Sequence, residues 1–360
     1  MPAYNAAEFI GDSIASVLSQ SFEALELIVV DDGSTDRTRE LVPSGDRRVK
    51  LLSQKNGGPS KARNTALRVA AGEYVWHLDA DDILVPEAVS EAVFALSDLP
   101  QLGGVVGRWC IIDESGRRSS NDISLWPTGT WQKELLFGPM LQRTLFPPSA
   151  ALLRKSAVEQ AGGWDESLWC AEDRDLWLRV LNVSEGLLFS DRNWTQYREH
   201  GSNATLNIDR IKLHSDLFEQ KWFSEGGLAG QQFLHLRPYV SCLASLYMAR
   251  QCRSGNQASR EQEFIDCALA QLRCADVDSS AVSAILWEVA GTSSEASFRR
   301  ALWPTARREV AEFCWSNLSA AVRNGRLLTA ASRILELLMK RPTFLLAKLA
   351  RRLTKKGEKR

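Results

Sequence analysis

The sequence lacks three features that would assign it to a specialised class of protein. Its seven cysteines are scattered and form no CxxC pair, which argues against a zinc site or a disulfide framework. The 44 basic and 44 acidic residues cancel, so the basic excess typical of nucleic-acid binders is missing. No apolar run approaches the roughly 18–20 residues of a membrane span. We therefore expect a cytoplasmic protein with reduced thiols and no nucleic-acid partner.

The chain has 360 residues, of which 44% are hydrophobic. This is enough to form the cores of one large domain and a smaller one. In the first part of the chain, short apolar strands alternate with helical patterns. Residues 25–30 predict a buried strand, and residues 60–71 predict a helix that Gly72 closes. This alternation predicts an α/β fold with a mixed, mostly parallel sheet. From residue 211 onward the pattern is helical, so we expect domains over 1–210 and 211–360.

One short apolar strand ends in three carboxylates, Asp79, Asp81 and Asp82. Strand ends are where α/β sheets place their ligands. Asp79 and Asp81 are two residues apart, so in extended backbone their side chains leave on the same side and repel each other. A divalent cation would relieve that repulsion. The alternative is a polar turn that leads into the next helix.

Two other loops carry polar signals. The turn formed by residues 31–34 either accepts the imide N–H of a uracil ring through a carboxylate or caps the following helix. In residues 56–64 a glycine pair precedes a helix that bears Lys61 and Arg63. Backbone N–H groups and two cations suit a diphosphate, although a solvated glycine-rich loop would have the same composition.

A third group of signals lies between residues 162 and 200. Trp164 offers a flat apolar face of the kind on which sugars stack. Glu172 and Asp173 open a helix, where they either cap it or supply a proton acceptor whose anion the helix dipole stabilises. His200 follows an extended segment. It is either a hydrogen-bonded structural residue or a further metal ligand, which would favour Mn²⁺.

In this order, the motifs resemble the family 2 glycosyltransferases with the GT-A fold over residues 2–205. Pro2, Tyr4 and Asn5 are similar to the family's opening strand end, which packs on the uracil base. Asp32 is similar to the carboxylate that contacts that base. The residues that resemble the family's phosphate-side loop and helix lie within 56–64 and include Gly58, Lys61, Arg63 and Asn64.

The resemblance also implies roles for the carboxylate clusters. Asp81 would hold a Mn²⁺ or Mg²⁺ ion on the donor diphosphate, Asp79 would contact ribose or a metal-bound water, and His200 would lie on the metal side. Glu172 and Asp173 resemble the ED motif, which nominates Asp173 as the general base. The implied reaction moves a sugar from a nucleotide sugar, most of all a UDP-sugar, to an acceptor hydroxyl with inversion, in the synthesis of an envelope or surface polysaccharide.

One departure from the family keeps another interpretation open. Members usually begin with a longer apolar strand before Pro2, so we expect a truncated first strand with Met1 as its last residue. That loss supports the alternative of a non-catalytic GT-A-like protein that binds nucleotide or glycan, or scaffolds other enzymes.

The basic segment 340–360 either contacts the inner face of the plasma membrane, near a glycan, lipid-linked or protein acceptor, or is a solvated tail.

Overall fold

The computed structural model describes residues 1–203, 206–254 and 257–273. Its strands are β1 Pro2–Ala3, β2 Leu27–Asp31, β3 Val49–Ser53, β4 Tyr74–Trp76, β5 Ile83–Leu84, β6 Gly104–Ile112, β7 Gly129–Gln132, β8 Ala151–Arg154 and β9 Gly186–Arg198. Its α-helices are α1 Ile10–Leu18, α2 Pro59–Val69, α3 Ala88–Ser97, α4 Lys133–Gln142, α5 Lys155–Gln160, α6 Glu172–Val183, α7 Ile208–Phe223, α8 Arg237–Ser254 and α9 Ala258–Arg273. Short 3₁₀ helices cover Thr38–Leu41, Pro148–Ala150 and Gln231–Leu236.

The first sheet joins β1, β2 and β3 in that order, with all strands parallel. Every residue of β2 is buried, because both faces of the strand are covered. Val29 belongs to one hydrophobic core, whereas Ile28 and Val30 pack with Ala62 of α2 on the other face. Parallel strands buried on both faces read as continuous apolar runs. That is why the sequence predicted this strand.

Strand β1 is two residues long and pairs with Val30 and Asp31 of β2. Met1 extends the pairing, because its carbonyl accepts the Val30 N–H at 2.9 Å and its amino group donates to the Ile28 carbonyl at 2.8 Å. Burial lowers the pKa of that amino group to about 5. The opening strand is therefore short, and the expectation of an upstream start stays a prediction.

The second sheet has the strand order β4-β8-β6-β9-β5, with β7 paired to β9. Strands β6 and β9 run parallel, while the pairs β4–β8, β6–β8, β5–β9 and β7–β9 are antiparallel. The two sheets and their helices confirm the predicted mixed α/β class. Strand β9 spans 13 residues and ends at Arg198, beside the carboxylates that follow β4.

The hydrophobic core that contains Val29 lies between α1, α3 and the two sheets. Helix α3 contributes Ala88, Ala92 and Leu96, which recur every four residues and are fully buried. Helix α1 contributes Ile10, among others, and its Ser13 hydroxyl donates to the Ala80 carbonyl at 2.8 Å. The core thereby fixes the loop that carries Asp79, Asp81 and Asp82.

Helix α7 packs on the α/β part through buried polar contacts. The Trp222 indole N–H donates to Asp175 at 3.0 Å. Lys221 lies 2.7 Å from Asp175 and 2.6 Å from Asp165. The division into domains 1–210 and 211–360 stays a prediction. The basic segment 340–360 lies outside the described residues.

Two segments differ in detail from their sequence patterns. The helix expected to follow residues 31–34 is only the short 3₁₀ turn Thr38–Leu41, because Asp36 accepts both the N–H and the hydroxyl of Thr38 and competes with helical bonding. Segment 125–148, which has no clear period, contains β7 and α4. Helix α4 includes Pro139 and is buried on several sides, so it has no single apolar stripe. Within the part of the chain described, no helix is both long and apolar enough to span a bilayer.

Candidate active site

The loops that follow β1 and β2 are joined by side-chain hydrogen bonds. Asn5 adopts a φ of +48°, its amide oxygen accepts the Thr35 N–H at 2.8 Å, and its own N–H donates to the Ser34 hydroxyl at 3.0 Å. Tyr4 is 52% exposed at this rim, and Pro2 lies half-buried in β1. The turn predicted to bind a base is thus held beside the residues predicted to pack on it.

Asp32 anchors the glycine-rich loop. Its side chain is buried, and one carboxylate oxygen accepts the Gly57 N–H at 2.9 Å and the Gln54 side-chain amide at 2.7 Å. The other oxygen accepts the Gly58 N–H at 2.8 Å. The two glycine N–H groups therefore point at Asp32. A loop that bound a diphosphate through these N–H groups would instead direct them away from Asp32. Contact of Asp32 with a base stays a prediction.

Gly58 lies directly beneath an indole ring that no motif indicated. Its φ is +88°, and a Cβ at this position would lie 2.5 Å from Cε2 of Trp169. Trp169 is half-buried. Its backbone N–H donates to His214 at 3.3 Å, and the Arg210 guanidinium lies 4.9 Å from the indole centroid. Two residues of α7 thus position the aromatic face that covers the phosphate-side loop.

Lys61 remains exposed at the same loop. Its aliphatic stem passes over Gly57, where an added Cβ would lie 2.5 Å from the lysine Cδ. Gly57 therefore lets the lysine fold back over the loop. The ammonium group stays accessible to an anionic ligand, as diphosphate binding requires.

Asp79 and Asp81 reach the same edge from the loop after β4, with their side chains 27% and 28% exposed. Asp79 accepts a hydrogen bond from Arg63 at 2.7 Å, and its own N–H donates to the Ser149 hydroxyl at 3.1 Å. Asp81 lies 3.0 Å from Nε2 of His200. The two carboxylates are therefore held apart by different partners.

His200 is fixed with one ring nitrogen directed at a carboxylate. The ring stacks on Phe9 with centroids 4.5 Å apart, and the side chain is only 7% exposed. Its Nδ1 lies 2.8 Å from the Ser202 hydroxyl, so Nε2 is the atom that faces Asp81. The structure thus brings together the two residues predicted to lie on the metal.

Asp82 is fully buried rather than placed at the start of the next helix. One of its oxygens accepts the Arg198 N–H at 2.9 Å, and the other has no partner among the described residues. Burial, followed by the charges of Asp81 and Asp79, raises the pKa of Asp82 well above its ordinary value. Arg198 also donates to the Asp81 carbonyl at 2.9 Å. The end of β9 therefore clamps the carboxylate loop.

Arg63 joins two predicted clusters. It is 4% exposed, and its guanidinium donates to Asp79 at 2.7 Å and to Glu172 at 3.1 Å. It lies 4.3 Å from the centroid of the Trp164 indole. The two carboxylates raise the pKa of Arg63 despite its burial. The resemblance placed Arg63 on the diphosphate side, whereas in the structure both of its ion pairs are internal.

The indole of Trp164 differs from the sugar-stacking face expected of it. It is 2% exposed, because its rings pack against His77 and Trp177 and lie under Arg63. The Asn64 side chain binds the Trp164 backbone, accepting its N–H at 2.8 Å and donating to its carbonyl at 2.9 Å. Both residues therefore support the site from inside, and Trp169 is the indole that remains partly open.

Glu172 and Asp173 occupy the first turn of α6. Burial, followed by the charge of Asp173, raises the pKa of Glu172 to about 7, although Arg63 opposes the shift. Burial also raises the pKa of Asp173, which accepts the Arg174 N–H at 2.6 Å and the Thr144 hydroxyl at 3.3 Å. A carboxylate with a raised pKa is a stronger base, as a proton acceptor needs.

Asp81 and His200 fit a divalent cation that has few protein ligands. No group of three or more ligating side chains around one point is found in the described ranges. Mg²⁺ is usually held by one or two carboxylates together with substrate phosphates and water, and an imidazole suits softer ions such as Mn²⁺. The Asp81 carboxylate oxygen and the adjacent Nε2 of His200 therefore fit an ion that a diphosphate would also bind.

Comparison with known proteins defines the class. A sequence model described as Glycosyl transferase family 2 matches residues 1–162. An uncharacterized glycosyltransferase of Haemophilus influenzae is 33% identical over 225 residues, which are 61% of this chain and 82% of that protein. The Escherichia coli chondroitin synthase is 31% identical over 211 residues, which are 57% of this chain and 29% of the synthase.

Comparison of the fold with solved structures leads to the same class. The structure of S. aureus TarS residues 1–349 in complex with UDP-GlcNAc superposes with a TM-score of 0.51 at 20% identity and covers 90% of each chain. The protein is a glycosyltransferase with the GT-A fold, as the motifs predicted. It belongs to glycosyltransferase family 2. The matched region is 37% of a Rickettsia felis glycosyltransferase and 29% of the chondroitin synthase, so the substrates of those longer proteins are not assigned to this chain.

Proposed function

We propose that this protein transfers a sugar from a UDP-sugar to an acceptor hydroxyl with inversion of configuration, aided by Mn²⁺ or Mg²⁺. The observation that carries the proposal is the pairing of Arg63 with both Asp79 and Glu172. Through that one buried cation, the cluster proposed for the donor diphosphate adjoins the cluster proposed for proton transfer. The UDP-GlcNAc complex of the fold relative TarS agrees with a uridine donor.

The donor side of the proposed site has distinct parts. Asp32 holds the loop over which the Lys61 side chain folds, and Lys61 would contact the diphosphate. Asp81 and His200 would hold the metal ion, with Asp79 near ribose or a metal-bound water. The ion, when bound, would neutralise the charge that develops on the departing diphosphate. The open face of Trp169 lies beside this loop and would exclude water from the donor.

Asp173 is the proposed general base. Glu172 is held in an ion pair by Arg63, whereas Asp173 accepts hydrogen bonds from the Arg174 backbone N–H and the Thr144 hydroxyl. Asp173 would take the proton as the acceptor oxygen bonds to the anomeric carbon and the bond to the diphosphate breaks. A single displacement of this kind inverts the configuration. Glu172 keeps the local charge balanced around Arg63.

We also propose that the reaction serves an envelope or surface polysaccharide, with the protein in the cytoplasm. The segment 340–360 holds nine basic residues and one acidic residue, which would suit contact with the anionic inner face of the plasma membrane. A glycan, lipid-linked or protein acceptor would be met there.

A non-catalytic protein that binds nucleotide or glycan, or scaffolds other enzymes, is the second candidate. One observation favours it: the N–H groups of Gly57 and Gly58 are already bonded to Asp32. This limits the groups left to bind a donor.

A donor panel separates the two candidates. UDP-, GDP- and dTDP-sugars are tested with MnCl₂ or with a chelator, by thermal shift and by hydrolysis of the donor. We expect one UDP-sugar to raise the melting temperature only with Mn²⁺ and to be hydrolysed slowly, because ligands stabilise the state that binds them. Asp81→Asn should abolish the metal-dependent shift, whereas Phe94→Ala, at a side chain 82% exposed on α3, should keep it. Stabilisation without any turnover would favour the non-catalytic candidate.

A further inference from the structure

A cleft apart from the candidate active site lies where β6 and β9 meet the loop that precedes β7. It is open to solvent, has a volume of about 440 Å³ and is lined by Arg108 of β6, by Asp122 and by residues 124–128. A smaller hollow of about 230 Å³ shares Asp122 and adds Asn193 of β9. We call the two together the distal cleft.

The distal cleft gathers buried polar atoms that lack partners. Nε of Arg108, Nε1 of Trp126 and Oδ1 of Asn193 are buried and have no hydrogen-bond partner among the described residues. Buried polar groups are usually satisfied, and leaving them unpaired costs free energy. Two of these atoms are donors and one is an acceptor. A hydroxyl both donates and accepts, so a ligand with several hydroxyls matches the set.

The walls of the distal cleft are held in place by neighbouring contacts. The Trp126 ring meets Trp131 edge-on at 5.6 Å, and the Trp131 indole N–H donates to the Pro127 carbonyl at 2.8 Å. Asp122 accepts from Arg118 at 2.6 Å and from the Asn193 side chain at 2.5 Å. The cleft therefore presents a supported aromatic ring beside fixed polar groups, which is the composition that sugar rings require.

The position of the distal cleft sets what it can hold. Asn193 precedes Arg198 by five positions on β9, and Arg198 binds the loop of Asp81 and Asp82. At about 3.3 Å per residue the separation along the strand is about 17 Å. A ligand here is thus too far from Asp81 to be the reacting sugar, yet it lies on the same strand.

We propose that the distal cleft binds a sugar unit of the acceptor glycan, remote from the hydroxyl that reacts. This rests on the proposed transfer to a glycan. Trp126 would contact the face of the sugar ring, while Arg108 would donate to its oxygens and Asn193 would accept from one hydroxyl. The enzyme would then bind longer acceptors more tightly than single sugars.

Saturation-transfer NMR on the full chain without donor tests the proposal. The probes are glucose, galactose, mannose, rhamnose, N-acetylglucosamine and N-acetylgalactosamine, with their di- to tetrasaccharides. We expect at least one oligosaccharide to bind, and Trp126→Ala to weaken its binding at least fivefold. Phe94→Ala should leave the binding unchanged. Absence of binding by every probe, or undiminished binding by Trp126→Ala, would overturn the proposal.

Two further variants keep the test clear. Thr128→Trp fills the distal cleft at an exposed position without removing a contact, and it should block saccharide binding even if Trp126→Ala folds poorly. Asp173→Asn should bind the saccharide like the wild type, because binding here needs no proton acceptor. The Thr128→Trp variant should still show the UDP-sugar thermal shift. If neither the wild type nor any variant showed that thermal shift while the wild type still bound the saccharide, the donor assignment would be refuted. The proposal for the distal cleft would then stand.

Discussion

Among the individual residues, Arg63 has the most consequential surroundings. It is buried, stacks on Trp164 and pairs with Asp79 and Glu172. Removing one member of a buried ion pair leaves an uncompensated charge, which costs about 3–5 kcal/mol. We therefore propose that Arg63 positions both carboxylates, while its contact with the donor stays a prediction.

Replacing Arg63 tests that role. Arg63→Met should lower the free energy of unfolding by about 3–5 kcal/mol, measured with guanidinium chloride, and should raise the pKa of Glu172 further. Arg63→Lys keeps the charge but cannot donate along two directions from a planar group, so it should fall between the wild type and Arg63→Met. A wild-type unfolding curve for Arg63→Met would contradict the assignment.

The raised carboxylate pKa values predict the pH dependence of activity. Asp173 accepts a proton only when ionised, and burial raises its pKa, as it raises that of Glu172 to about 7. The rate, measured as kcat/KM for donor hydrolysis, should therefore fall as the pH drops through the region above the usual carboxyl value of about 4. Because folding disfavours both ionised forms, their contribution to stability also decreases as the pH rises through that region. A rate that falls only near pH 4 would contradict this prediction.

The loop formed by residues 54–58 is the element whose geometry depends most on single atoms. Asp32 holds it from below, and Trp169 covers Gly58 from above. The loop therefore has one conformation compatible with both neighbours. Its position fixes Lys61.

Gly58→Ala tests the loop. The added Cβ would meet Trp169 at 2.5 Å and would require a φ of +88°, so we expect a loss of about 1–3 kcal/mol of stability from backbone strain. Donor affinity should fall at least tenfold, as measured by calorimetry. Gly11→Ala in α1 is the matched control, because a Cβ there meets nothing within 4 Å and alanine favours the helix by up to about 1 kcal/mol. Equal behaviour of the two variants would refute the role of Gly58.

The elements that the sequence predicted are those with a local signal. Strand β2 is a continuous apolar run because both of its faces are buried. Glu172 and Asp173 lie at the first turn of a periodic helix. Helix α4 gave no such signal, because it contains Pro139 and is buried on several sides. Its placement follows from tertiary contacts that a local pattern does not contain.

Across the whole molecule, the sequence indicated which residues gather but not how they pair. Arg63 was assigned to a diphosphate from its place after the glycine pair. Its carboxylate partners come from two other segments, and no spacing rule connects them to Arg63. Trp164 and Trp169 are separated by four residues, yet only the fold decides that the first is buried and the second partly open. Asp82 was equally ambiguous, since its burial depends on the end of β9.

Asp173 is the proposed proton acceptor in a site where the donor would bind independently of it. The most direct measurement compares Asp173→Asn with the wild type for UDP affinity with Mn²⁺, by calorimetry, and for donor hydrolysis, in which water loses its proton to the same carboxylate. We predict that hydrolysis falls by about 10²–10⁴, while UDP binds with affinity within about threefold of the wild type because asparagine keeps the size of the side chain. Unchanged hydrolysis by Asp173→Asn would contradict the account.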